Sequence, residues 1–380
     1  MNFSLNDEQH LLRDSAASFV RDNSSLKRIR ALRDGKDADG FSRDLWKQMA
    51  ELGWLGIVFP EEYGGLELGY KELALVLEEF GKGLMPEPWT STVLLGGGAV
   101  WRAGSAAQRE AILPKVIGGD MLLALAYQER SSRYALHHVA TRAERAGDGW
   151  RINGEKHGVL DGHVADRLIV SARTAGKDPD RDGVTLFLVD AHAPGVSITR
   201  QWTLDGRNAA IVRLSATPAA PADVLGEVGG GSTLLTDVVD RATAGLCAEM
   251  LGSMEAVFAM TLDYLKTRQQ FGVVIGTFQS LKHRAAIMFT ELELARSAAL
   301  AAAMALDEDN PRAAEFISVA KARCSDAFIL IANEGVQMHG GIGMTDEHDV
   351  GFFLKRARAA EITFGDAAYH RGRFATLQGF

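Results

Sequence analysis

The chain is predicted to be an α+β protein built in three blocks, helices first, then short strands, then a helix bundle. Three observations predict this. Apolar residues recur at helical spacing through roughly the first 118 positions. Short β-prone runs divided by Gly and Asp turns fill residues 120–225. Helical spacing then returns from residue 232 to the end. The expected domains are an N-terminal helical domain over 1–119, a middle β domain of barrel or sandwich type over 120–228, and a C-terminal helical bundle over 229–380.

In the first block, Asn6 with Gln9 three positions on resembles a capping box, and Leu11, Leu12, Ala16 and Phe19 follow at helical spacing. A second amphipathic stretch covers 41–55, with further helices expected over 71–80 and 106–117. Phe59-Pro60-Glu61-Glu62-Tyr63-Gly64-Gly65 must be a loop, because Pro and paired Gly break helices. Gly96-Gly97-Gly98 has no Lys-Ser/Thr after it, so it reads as tight helix packing rather than a phosphate loop.

In the second block the strand candidates are 122–127, 139–144, 150–153, 168–172, 184–189 and 210–214, with turns at Gly147-Asp148-Gly149 and Asp182-Gly183. Residues 176–183 read as a surface loop. Residues 216–222, with two prolines, and Gly229-Gly230-Gly231 read as a linker. Strands and helices do not alternate, which disfavours a nicotinamide cofactor on a doubly wound sheet. In the third block Leu281, Ala285, Met288, Leu292, Ala295 and Ala299 repeat at 3-and-4 spacing. Helices over 236–266 and 311–338 and a last pair after Asp346 complete it.

Composition narrows the function. The 380 residues are 47% hydrophobic, enough for a large core, and the net charge of −8 has no basic run, so nucleic acid is a poor partner. No run of about 18 apolar residues is free of charge, so no membrane-spanning helix is expected. The start MNFSLNDEQHLL lacks a signal-peptide pattern. Cys247 and Cys324 lie in apolar helical stretches and read as buried, reduced thiols, which fits a cytoplasmic location. GxSxG, HExxH and CxxC are missing, no metal site is expected, and His137-His138 on a strand would point to opposite faces.

Two segments could hold a ligand. Arg268-Gln269-Gln270-Phe271-Gly272, followed by Ile275, Phe278 and Gln279, interrupts two long helices with a cation, amides and aromatics. It suits a pyrophosphate and a purine, or it is a helix–helix turn with an exposed Arg. Gln337-Met338-His339-Gly340-Gly341-Ile342-Gly343 lets backbone approach a ligand closely, or it caps a helix.

These two segments, read together as RQQFG–x2–I–x2–FQ and QMHGGIG, resemble the C-terminal signatures of acyl-CoA dehydrogenases. LGWLGIVFPEEYGGLELGYKELALVLEEFG and GDGWRINGEK are similar to the same family. The matches are collinear across nearly the whole chain. The resemblance implies a C-terminal four-helix bundle and an oligomer, usually a tetramer built from two dimers, with FAD across a dimer interface. It also implies α,β-dehydrogenation of an acyl-CoA by a carboxylate base, with an electron-transfer flavoprotein as acceptor.

Carried over residue by residue, the set that reaches the neighbouring subunit's FAD is intact: Arg268, Gln270, Phe271, Ile275, Phe278, Gln279, Gln337, Gly340 and Gly341. The set that serves a chain's own flavin and substrate is altered. The family's TEPGAGSD appears as 128–135, QERSSRYA. The Trp-Ile-Thr beside the flavin ring appears as Gly158-Val159-Leu160, without a hydroxyl. The Glu-Gly-Thr that carries the usual base appears as Phe364-Gly365-Asp366. The base position used by other members, on the first long helix of the bundle, falls on Ala242; the nearest acid is Asp240, about 200° round the helix.

The asymmetry implies the base-lacking small subunit of an α2β2 heterotetramer whose homologous large subunit carries the base. QERSSRY, LIVSART and LCAEMLGSMEA are similar to small subunits of pimeloyl-CoA dehydrogenases, which implies carboxylated acyl-CoA substrates, with steroid side-chain thioesters as an alternative. Arg130 or Arg133 could pair a distal carboxylate or a surface acid. Three other readings stay open: a self-sufficient homotetramer using Asp240 or another acid, a structural or regulatory homologue without flavin, and an acyl-CoA oxidase.

Overall fold

The computed structural model describes residues 4–380. Two compact units emerge, one formed by the chain up to Asp34 with Gly69–Met85 and Thr243–Phe380, the other by Gly35–Leu68 with Pro86–Ala242.

The first unit is helical. It contains α1 (Asp7–Asn23), α2 (Leu26–Asp34), the later α4 (Tyr70–Lys82), and the far part of α7 (Gly231–Thr267). The bundle continues with α8 (Gln279–Asp307), α9 (Ala313–His339), α10 (Val350–Ile362) and α11 (Ala367–Leu377). The Asn6–Gln9 capping box forms, each side chain bonding the other residue's backbone N–H at 2.8 and 3.0 Å. Close helix contact rests on glycine. A Cβ on Gly252 would lie 1.6 Å from the Glu78 carbonyl oxygen, and one on Gly81 would lie 2.0 Å from that of Glu249, so α4 and α7 touch backbone to backbone. Arg356 on α10 pairs with Glu249 on α7 at 3.0 Å, both buried. Arg296 on α8 bonds Glu78 on α4 and reaches Glu255 on α7.

The 37-residue α7 has the length and composition to cross a membrane, but 67% of its apolar window is buried inside the protein, so it serves as a core helix.

The second unit is built on one eight-stranded sheet. Its strands are β1 (Leu123–Ala126), β2 (Arg142–Ala146), β3 (Gly149–Leu160), β4 (Arg167–Arg173), β5 (Val184–Asp190), β6 (Val196–Trp202), β7 (Asn208–Ala219) and β8 (Val224–Leu225). The order is β6-β7-β3-β2-β4-β5-β8, with β1 parallel to β4. One apolar core, including Trp150, Leu168, Phe187 and Val212, is assembled from most of these strands. Around it stand α3 (Arg43–Glu51), a π-helical turn (Trp89–Gly97), α5 (Gly98–Ala103) and α6 (Ala106–Ile117). Gly96 and Gly97 do serve tight packing: an added Cβ would lie 2.3 Å from Leu123 Cβ and 2.7 Å from Phe59 Cζ.

Three local expectations are corrected. The strand over 150–153 runs on to Leu160, and β6 and β8 are additional. The first part of the expected linker is strand: Pro218 pairs in register with Arg151 on β3. Proline fits because β6 stops pairing at Leu214, so no strand on that side needs its missing N–H. His137 and His138 lie in a turn region rather than a strand, and His138 Nδ1 sits 2.9 Å from Asp178.

Candidate functional site

The Arg268 segment folds as a minimal hairpin. Residues Gln269–Gln270 (β9) pair with Val273–Val274 (β10), and Phe271 and Gly272 make the turn with φ of +53° and +77°. Two successive left-handed residues define the turn type that suits a two-residue hairpin. Glycine adopts that conformation freely; an aromatic residue there is strained. The Phe271 ring is 91% exposed and meets the Phe278 ring edge-on, centroids 6.1 Å apart. Ile275 is buried and donates its backbone N–H to the Arg268 carbonyl at 2.9 Å, which closes the hairpin on its stem. Arg268, Gln270 and Gln279 point into solvent.

The second segment ends α9. Gln337 is exposed on the last turn. Gly340 takes φ +66°, and neither Gly340 nor Gly341 has any neighbour within 4 Å of where a Cβ would stand. Gly343 turns the chain back, since a Cβ there would meet the Val336 carbonyl oxygen at 2.7 Å and His339 Cβ at 2.9 Å. The Tyr264 ring of α7 packs on the His339 ring of α9 with centroids 4.6 Å apart. That contact sets the Arg268 end of α7 beside the Gly340 end of α9. The nine residues therefore occupy one end of the bundle, six on the hairpin stretch and three at the helix end.

This end presents a cation, several amides, two aromatic rings and bare backbone with open space over it. Such a surface fits an adenine dinucleotide: phosphate on Arg268 and backbone N–H groups, purine beside the phenyl rings.

Asp240 is not part of this gathering. It lies on the early part of α7, in the other compact unit. Since α7 starts at Gly231, Asp240 is in the third turn rather than near the N-terminus, and the neighbouring Ala242 is fully buried.

The Phe364 segment is held from two sides. Phe364 has φ +61° and is only 8% exposed. Lys321 of α9, fully buried, donates to the carbonyl oxygens of Gly365 at 2.7 Å and Glu361 at 2.9 Å and to Ser325 Oγ at 3.0 Å. Burial pulls its ammonium down to about 8, against the opposing pull of the nearby thiols and acids. His370 Nε2 lies 3.1 Å from the Phe364 carbonyl oxygen, and burial, helped by Lys321, holds this imidazole at about 3, so it donates as the neutral ring. Both nearby acids are engaged. Asp366 caps α11 by accepting from the Tyr369 N–H at 2.8 Å, and Glu361 pairs with Arg358 at 3.3 Å.

The QERSSRYA loop is also anchored. Glu129 accepts from Lys156 Nζ at 2.6 Å and from the backbone N–H groups of Ala140 and Thr141 at 2.8 and 3.0 Å. Lys156 is fully buried; desolvation lowers it to about 8 while Glu129 pulls the other way. Burial would raise Glu129, but Lys156 and Thr141 hold it below its ordinary range. Arg130 and Arg133 stand outward on this loop, with the Arg133 guanidinium 5.2 Å from the Tyr134 ring centroid. Beside Leu160, Asp161 takes φ +52° and accepts from Ser91 Oγ at 2.6 Å; burial raises its carboxyl to about 6.

The anchors Lys321, His370 and the Glu129–Lys156 pair escaped the sequence reading. A lysine inside the apolar run ISVAKARC was the available signal for the first.

Residues 6–120 match the family description "Acyl-CoA dehydrogenase, N-terminal domain", 124–215 the middle domain and 229–376 the C-terminal domain of the same family. The chain is 32% identical to mitochondrial isovaleryl-CoA dehydrogenase of Pongo abelii, over 97% of this chain and 88% of that one. Among solved structures it is similar to butyryl-CoA dehydrogenase from Megasphaera elsdenii, at 25% identity and a TM-score of 0.92 over 100% of both chains. It is also similar to a chain of the ChsE4-ChsE5 complex from Mycobacterium tuberculosis, at 26% identity and a TM-score of 0.90, covering 100% of this chain and 99% of that one.

Proposed function

We propose, starting from the fact that this chain belongs to the acyl-CoA dehydrogenase family of FAD-dependent oxidoreductases, that it is the base-lacking small subunit of an α2β2 complex. One observation carries the reading. At the position where the family's usual base is expected, this chain has Phe364, a buried phenyl group on a loop pinned by Lys321 and His370. A phenyl ring cannot accept a proton, and the acids on either side are occupied as a cap and an ion pair.

FAD, when bound, supplies the hydride acceptor. The residues of this chain suited to it are Arg268 for a phosphate, Phe271 and Phe278 for the purine, and the bare backbone of Gly340 and Gly341. In this reading they serve a flavin shared with a homologous large subunit. That subunit contributes the carboxylate that removes the α-proton, while this chain binds and orients. The likeness to a chain of a two-name complex supports a paired arrangement.

The substrate in this reading is a carboxylated acyl-CoA of the pimeloyl type, the acceptor an electron-transfer flavoprotein and the location cytoplasmic. Arg130 and Arg133, both exposed on the QERSSRYA loop, are the cations this reading assigns to a distal carboxylate. The rival, a self-sufficient enzyme using Asp240, would need that side chain to stand in for one at Ala242, from which it is turned about 200° round α7.

The deciding measurement is the visible spectrum and native mass of the chain purified alone and with its partner. A flavin-poor chain that turns yellow only on co-expression, with about one FAD per pair of chains, is expected. A yellow homotetramer with one FAD per chain would overturn the small-subunit reading.

A further inference from the structure

Behind the Gly340 turn lies a cluster of three rings that no catalytic role accounts for. His339 forms its corner, with Tyr264 4.6 Å and His348 4.3 Å away, both tilted to it, and Tyr264 and His348 edge-on to each other at 6.5 Å. His339 is 2% exposed. Its Nδ1 lies 2.7 Å from the Gly335 carbonyl oxygen and so carries the proton, which leaves a buried Nε2 lone pair without a partner. His348 is arranged oppositely. Its Nδ1 accepts the backbone N–H of Val350 at 3.2 Å, the first residue of α10, so its proton sits on Nε2. The turn rests directly on this cluster through Gly343 against His339 Cβ.

Each imidazole therefore has a reason to stay neutral. A proton on His339 Nε2 would create a buried cation with no acceptor, facing a second imidazole. A proton on His348 Nδ1 would break the bond to Val350 that starts α10. The groups around the cluster are few. Tyr264 faces it from α7. Asp349, beside His348, favours the charged form there but is itself paired with Arg30 of α2 at 3.1 Å. Asp346 in the same loop is held by Arg30 and Arg33 at 2.9 and 2.7 Å.

We infer that His339 and His348 are positioning residues that hold the Gly340–Gly341 turn in its ligand-facing shape only while both rings are uncharged, so that acid loosens the turn and weakens its grip on an adenine dinucleotide. The inference rests on the proposed nucleotide role of that turn. Burial depresses both imidazoles, and at His339 the neighbouring His348 adds to the effect. A histidine depressed in the folded state contributes stability that is complete above the unfolded value of about 6.5 and is lost as pH falls through the folded value.

The test is hydrogen exchange, read by mass spectrometry over residues 335–351 of the assembled protein, at about pH 7.5 and about pH 5.5. Rates are corrected for intrinsic pH dependence, and bound flavin is measured by absorbance on the same samples. In the parent protein, protection of the turn should fall about tenfold on acidification, with flavin lost in parallel. His348→Asn keeps an acceptor for the Val350 N–H without a titratable ring; His339 still titrates, so protection should fall only about threefold on acidification. His348→Gln serves if that variant fails to fold. Equal acid loss in parent and variant, or none in either, overturns the clamp. The expected exchange pattern in a protein that never holds flavin would sustain the clamp and sink the nucleotide reading instead.

Discussion

At the scale of single residues, strain marks the places where this chain departs from what folding alone would choose. Phe271 sits in the left-handed region while almost wholly exposed, where Asn or Gly would cost less and where solvent offers the ring nothing in return. Phe364 takes the same region while buried, on a loop whose carbonyls are fixed by a lysine and a histidine. The first strained ring lies on the same hairpin as the exposed Arg268; the second stands where the family resemblance leads one to expect an acid. Arg268 was singled out through the RQQFG signature, since local chemistry by itself left open a helix–helix turn with an exposed Arg. Arg268→Ala should lower the flavin retained by the assembled complex by about tenfold, since a charge-assisted phosphate contact of roughly 1.5–3 kcal/mol is removed. Flavin content measured after gel filtration checks it, and an unchanged ratio of visible to ultraviolet absorbance would remove Arg268 from the nucleotide site.

At the scale of elements, the altered loops have kept their supports. The QERSSRYA loop hangs from Glu129, which binds a fully buried Lys156 of β3 and two backbone N–H groups. Removing one partner of such a pair strands a charge in the interior. Glu129→Ala should therefore destabilise the chain by about 3–5 kcal/mol, measured by urea unfolding. A loss below about 1 kcal/mol would show that water reaches Lys156. The helices of the bundle were readable to within a few residues because their apolar spacing extends over many turns. The strands were readable where apolar runs were dense. β6 was not, because Val196 and Ile198 are too few to set a pattern before Thr199-Arg200-Gln201, and the end of β7 was hidden by Pro218.

At the scale of the whole molecule, the question is how much of an active site one chain owns. Asp240→Asn should leave turnover of a two-chain enzyme within about twofold, because Asp240 is turned about 200° round α7 from Ala242, the position where a base on this helix is expected. A fall of several orders of magnitude in steady-state rate would make Asp240 the base and this chain self-sufficient. The division of labour follows from where the altered residues fall. The hairpin and the glycine turn, at one end of the bundle, keep a set suited to a nucleotide. The positions expected beside this chain's own flavin carry Leu160 and Phe364.

The sequence alone determined the helix–strand–helix order, the family and the two motifs that carry the nine-residue set proposed for a dinucleotide, because these depend on local periodicity and on motifs contiguous along the chain. Only the tertiary structure decided that Tyr264 joins the two motifs at one end of the bundle. It alone placed Lys321 and His370 behind Phe364, and a second imidazole against His339. Those relations link residues far apart in the chain or on separate elements through burial and ring contact, and no spacing in a linear pattern records which buried lysine or histidine will find which carbonyl.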